Sequence, residues 1–151
     1  MSRKGFTLAE LVISISVAII VAGIAIPRMR ALIDEGNLGQ AATELKALQS
    51  AVESYAAGHG NVYPETGSSW QSALTDVRTK PRLIGIELRD PFSGSGAPYR
   101  YRKTADGKYY VLWSVGPDHQ SDLVFNPETG ALTGQDDDLY ISNGTAGAGG
   151  F

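Results

Sequence analysis

The spacing of apolar residues changes character twice along this chain. From Phe6 to Ile26 lie 21 residues that are apolar at nearly every position, broken only by Thr7, Glu10, Ser14, Ser16 and Gly23. Beyond Pro27 the pattern thins to Leu38, Ala41, Leu45, Leu48, Val52 and Tyr55, at alternating steps of three and four. That spacing predicts one apolar stripe on an amphipathic helix, stopping near Gly58 or Gly60. The last change is to strand patterning. Tyr and Arg alternate from Tyr99 to Lys103, Ala105-Asp106-Gly107 reads as a hairpin turn, and Lys108 to Trp113 supplies a partner strand. A weaker hairpin joins Leu123–Phe125 to Ala131–Thr133. Between helix and sheet, Ser69 reads as an N-cap for a short helix carrying Trp70, Ala73, Leu74 and Val77 on one side. The expected fold is α+β: a long N-terminal helix, membrane-spanning in its first half, packed on a small antiparallel sheet. The helical stripe is expected to lie on that sheet; a dimeric coiled coil is the competing use of the same pattern.

The first run is long enough to matter for a membrane. At ~1.5 Å per residue it reaches roughly 30 Å, the thickness of a bilayer's hydrocarbon core. Arg3 and Lys4 precede it, so its N-terminal end is expected on the cytoplasmic side and the rest of the chain outside. A secretory signal cut after Gly23-Ile24-Ala25 and a plain single-pass anchor are alternatives. Neither has a use for Glu10, since an acid at membrane depth costs ~2.5–3.5 kcal/mol even on the lenient scale.

The stretch KGFTLAELVISISVAIIVAGIAIP resembles the class III signal and N-terminal helix of the type IV pilin-like superfamily. The resemblance implies cleavage by a prepilin peptidase between Gly5 and Phe6 and N-methylation of Phe6. It also implies assembly roles for Glu10, the acid of the helix, and Pro27, which bends it. The implied division is a leader at 1–5, a transmembrane and assembly helix at 6–27, an amphipathic continuation at 28–60, a head at 61–141 and a Gly-rich tail at 142–151. Losing Arg3 and Lys4 from 13 basic side chains leaves 11 against 16 acidic ones, a side-chain sum of −5. In a filament the amine freed on Phe6 could meet Glu10 of a neighbouring subunit. That pairing penalises wrong registers more than it adds stability.

A second resemblance lies in the head. DPFSGSGAPYRYR followed by YYVLWSVGPDHQSD is similar to the major, G-type pseudopilins of type II secretion. In that subfamily a loop after the last long strand binds calcium. The implied ligands are the carbonyl of Val115, Asp118, the run Asp136, Asp137 and Asp138, and Asp122 as an additional candidate. Oxygen donors of this mixed kind suit Ca²⁺. The chain departs from the pattern in two places: Leu123–Thr133 lengthens the loop, and His119 stands where the family has Gly. A solvated acidic run is the plainer alternative.

Composition narrows the function. The chain has 151 residues, no cysteine and a net charge of −3, so a small head must be held without disulfides. The scattered basic residues make no nucleic-acid footprint. His59 and His119 lack companions at transition-metal spacing. No nucleophile–base pair or phosphate loop is visible, which disfavours a third possibility, an anchored periplasmic enzyme. The leading expectation is a structural subunit polymerising into a periplasmic pseudopilus for type II secretion; a subunit of an extracellular type IV pilus is the alternative. Expected partners are further copies of the chain, minor pseudopilins, the prepilin peptidase, the inner-membrane assembly platform, the secretin indirectly, and membrane lipid before assembly.

Overall fold

The computed structural model describes residues 5–67, 69–75 and 84–144. The leader residues Arg3 and Lys4, Val77, which the sequence places in the short helix, and the tail from 145 lie outside the described residues. Among those described, α1 (Leu8–Gly58) is followed by α2 (Ser72–Thr75), β1 (Arg100–Lys103), β2 (Tyr110–Ser114), β3 (Val124–Phe125), β4 (Leu132–Thr133) and β5 (Leu139–Ser142). The chain divides into two compact units, one up to Gly36 and one from Asn37, and α1 is continuous through the division.

In the first unit α1 buries nothing. Its large apolar side chains from Leu8 to Ile33 are between 51% and 82% exposed. An 18-residue window reaches a mean hydropathy of 2.5, and the helix is long and apolar enough to cross a membrane. Its two serines bond back to the helix backbone: Ser14 Oγ donates to the Glu10 carbonyl at 2.7 Å and Ser16 Oγ to the Val12 carbonyl at 2.8 Å. Such bonds satisfy hydroxyls where lipid offers them no partner. The helix runs through Pro27. Proline has no N–H, so the carbonyl four residues back, on Gly23, is left without its usual donor.

The second unit is organised by the three-and-four stripe. Ala41, Leu45, Leu48, Ala51, Val52 and Ala56 are buried, and Leu38 and Tyr55 pack beside them. They meet Tyr101, Tyr110 and Leu112 of the sheet and Tyr99 just before β1, with Trp70, Leu74 and Phe92 closing the core. The stripe therefore serves its own sheet and not a coiled coil. The helix stops at Gly58, Gly60 and Asn61 take positive φ, and the Asn61 N–H donates to the Ala56 carbonyl at 2.8 Å.

The main sheet is antiparallel in the order β1-β2-β5, with Tyr101 opposite Leu112 and Leu112 opposite Ile141. As the central strand, β2 is buried at every position. Its alternate residues serve two cores. Tyr110 and Leu112 face the helix, while Val111 and Trp113 join Leu123, Phe125, Leu132 and Tyr140 in a second cluster. The β3–β4 hairpin supplies two members of that cluster, Phe125 and Leu132, and Leu123 lies just before it. β5 was absent from the sequence reading, and Ser142, assigned there to the tail, is its last residue. The next residue is also tied in, because the Tyr110 N–H donates to Asn143 Oδ1 at 2.7 Å. α2 begins at Ser72, and it is the Ser69 carbonyl, not its hydroxyl, that accepts the Ser72 N–H at 2.9 Å.

Candidate functional site

A single carboxylate in the first unit, Glu10, and a group of carboxylates in the second carry the chemistry. At the start of α1 the residues Thr-Leu-Ala-Glu form a capping box. The Thr7 N–H and the Thr7 hydroxyl both donate to Glu10 Oε2 at 2.9 Å, and the Glu10 N–H donates back to Thr7 Oγ1 at 3.3 Å. The Thr7 carbonyl accepts the Leu11 N–H at 3.2 Å. Thr7 is thus the N-cap and Glu10 the third helical residue. Glu10 Oε1 takes no bond among the described residues. The sequence reading treated Glu10 as an acid waiting for another subunit. It missed Thr7, although the spacing of a hydroxyl residue three before a Glu was visible. Gly5 and Phe6 lie before the helix, exposed and with no helical structure.

In the head, Asp118, Asp122 and Asp137 each bring one carboxylate oxygen within 4.8 Å of the others. The separation of these residues along the chain is closed by the β3–β4 hairpin. Its two ends approach so closely that a Cβ on Gly134 would collide with the Asp122 carbonyl. The long Leu123–Thr133 stretch is thus a side excursion, and Asp122 returns next to the acidic run. Gly116 makes a second close approach: at φ +69° it sits where a Cβ would meet the Asp137 carbonyl oxygen at 2.5 Å.

The remaining acids differ in role. Asp137 Oδ2 accepts the Asp118 N–H at 3.0 Å. Asp138, only 7% exposed, accepts the N–H groups of Asp122 at 2.9 Å and Leu123 at 2.6 Å through Oδ2. It holds the loop, and its oxygens are not part of the convergent group. Asp136 is exposed and outside the group as well. Val115 is buried, and its N–H donates to Asp90 Oδ2 at 2.9 Å. Asp90, buried in the Asp-Pro turn, also accepts the Phe92 N–H at 3.0 Å and the Ser114 hydroxyl at 2.7 Å through Oδ1. It locks the end of β2 from which the acidic loop departs, a role the sequence reading did not assign. His119 adopts a φ of 64° and turns its Nδ1 onto the Phe92 carbonyl, away from a ligand role.

The electrostatics of this loop are unbalanced. Three carboxylates lie together, and among the described residues no ion pair with Lys or Arg reaches them. Asp137 Oδ1 and Asp138 Oδ1 are buried without a hydrogen-bond partner, a costly state for an acceptor. Burial pushes the Asp138 carboxyl above the ordinary carboxylate range. The charges of Asp122 and Asp137 push the same way, against the pull of the two N–H donors. Ca²⁺ binds oxygens at ~2.3–2.6 Å, so two donors on opposite sides of one ion stand at most about 5 Å apart. The convergent oxygens meet that limit, and a divalent cation among them would relieve their mutual repulsion.

A long N-terminal helix, apolar and uncovered in its first half and packed in its second half on a small antiparallel sheet, is a pilin-like arrangement. No protein-family model matches the chain. Among curated proteins it is similar to the type II secretion system core protein G of Klebsiella michiganensis. The two are 28% identical over 138 residues, covering 91% of this chain and 92% of that protein. The resemblance drawn from the N-terminal motif therefore extends through the head.

Proposed function

We propose that this chain is a structural subunit, a major pseudopilin, that polymerises through α1 into a periplasmic filament serving type II secretion. The observation that carries this reading is the whole-length similarity to a type II secretion core protein. The uncovered apolar half of α1 supports it: these side chains need lipid or other copies of the helix around them. On this reading the leader Met1–Gly5 is removed behind Gly5, Phe6 becomes a methylated amine, and the helix stays in the inner membrane with the head outside. Glu10 Oε1 then meets the amine of a neighbouring copy, and Pro27 with Gly23 lets the helix yield as subunits pack. The partners are other copies, minor pseudopilins, the processing peptidase and the assembly platform, with the secretin reached through the filament.

Asp118, Asp122 and Asp137 would hold calcium in the head, with Asp138 and Asp90 fixing the loop around them. Calcium supplies a compact divalent charge that neutralises clustered carboxylates. The chain's own residues do the rest: the glycines at 116 and 134 let backbone approach backbone, and the cluster closes the C-terminal strand onto β2 without a disulfide.

A Gly5→Leu chain tests the reading. It should remain at precursor size in the inner membrane and form no filament. Mature protein of unchanged size from that chain would overturn it.

A further inference from the structure

Glu10 poses a problem of timing. If Phe6 gains its amine only on cleavage, the acid must enter the membrane before that partner exists. An acid left bare there is expensive. In the structure Oε2 is occupied twice by Thr7, through N–H and hydroxyl, both at 2.9 Å. Both donors belong to the same chain and are independent of the leader's removal.

Resting on the pseudopilin reading, we infer that Thr7 is the positioning residue that shelters Glu10 during membrane insertion, holding the carboxylate through the capping box until a neighbouring amine takes its free oxygen. Three features fit this. The bonds are local, so they form as soon as the first turn does. Among the described residues they use only Oε2, so Oε1 is open to a second partner and the cap need not break when a second subunit docks. They also satisfy two donors at the helix start that lipid could not. Glu10 thus has a partner within its own chain and another in the assembly, one for each oxygen.

The test is insertion without processing: full-length chain translated into inverted inner-membrane vesicles that lack prepilin peptidase, scored by resistance to alkaline carbonate. Thr7→Val removes the hydroxyl and makes the segment more apolar, so hydropathy alone predicts better insertion. The capping role predicts the opposite, a ratio of inserted to free chain about fivefold lower, as loss of an ordinary N-cap produces. Thr7→Ser should restore it. In a Glu10→Leu background Thr7→Val should lose its harmful effect, because no acid needs sheltering. Thr7→Val inserting as well as the parent, or failing equally in both backgrounds, would overturn the inference. If no variant, Glu10→Leu included, enters the vesicles, the membrane reading itself falls and takes the inference with it. Mature-size product from a Gly5→Leu chain in cells would overturn the processing reading alone.

Discussion

One helix lives under two regimes. Up to Gly36 it exposes Leu, Ile and Val on every side; from Ala41 onward it buries one stripe and leaves the rest in water. The backbone is helical in both, and Pro27 removes only one rung of the ladder, so the difference lies in side-chain spacing. A near-continuous apolar run has no polar face to show to water, and each large side chain left wet forgoes about 1.5–3 kcal/mol. A run with steps of three and four has one face for a sheet and one for solvent. The first half is therefore finished only by its surroundings, and the second by its own chain.

The comparison breaks if a change in one half is felt in the other. The largest effect expected is that of Glu10→Leu. Filament yield should fall to the background of a strain lacking the protein, while the head's melting temperature in detergent stays at the parent value. Electron microscopy and a thermal scan on the same preparation check both. Normal filaments would separate Glu10 from assembly; a shifted melt would couple the two halves.

The mirror-image change is Leu48→Ala, which empties a fully buried position in the head. It should cost the head about 2–5 kcal/mol, read as an earlier denaturant midpoint, with membrane insertion unaltered.

How much of this was legible depended on whether a pattern was local. The apolar run, the stripe and the first hairpin are periodic over short distances, so spacing alone exposed them. β5 was hidden because Leu139–Ser142 is four residues beside an acidic run, and only its pairing with β2 makes it a strand. Spacing alone does not bring Asp122 to Asp137, and only the family resemblance placed them in one ligand set: 15 positions separate them, and the hairpin that closes the gap is held by Phe125 and Leu132 in a cluster on the far face of the sheet. Thr7 is the opposite case. Its capping spacing is local, a hydroxyl residue three before a Glu, and is legible in the sequence alone.

The acidic loop sharpens the contrast between a unit completed from outside and one completed from within. Asp137→Asn keeps an oxygen for the Asp118 N–H but removes one of three converging charges. Without metal, less repulsion should leave the head as stable as the parent or slightly more so. With calcium at 100 times the parent's Kd, the parent should gain about 2.7 kcal/mol and the variant much less. Thermal melts with calcium and with chelator give the sign directly. A variant that responds to calcium like the parent removes Asp137 from the ligand set.

The smallest effect lies inside the head, where tyrosines tie the sheet to the helix. The Tyr110 hydroxyl donates to Glu53 at 2.7 Å and the Tyr99 hydroxyl to Glu44 at 2.8 Å. Burial pushes the phenols of Tyr99, Tyr101 and Tyr110 up, and for Tyr99 and Tyr110 the bonded glutamates push further. The folded head thus keeps protons that the unfolded chain releases from about pH 10. The stability these groups contribute is complete below that pH and is lost as pH rises beyond it, by up to about 1.4 kcal/mol per pH unit for each tyrosine. Tyr110→Phe should cost about 1 kcal/mol at neutral pH through the lost hydrogen bond. Above pH 10 its stability should fall less steeply than the parent's, so the two curves converge. Denaturant titrations at pH 7, 10 and 11 check this. Parallel curves would mean that Tyr110 ionises alike in both states and that burial does not hold its proton.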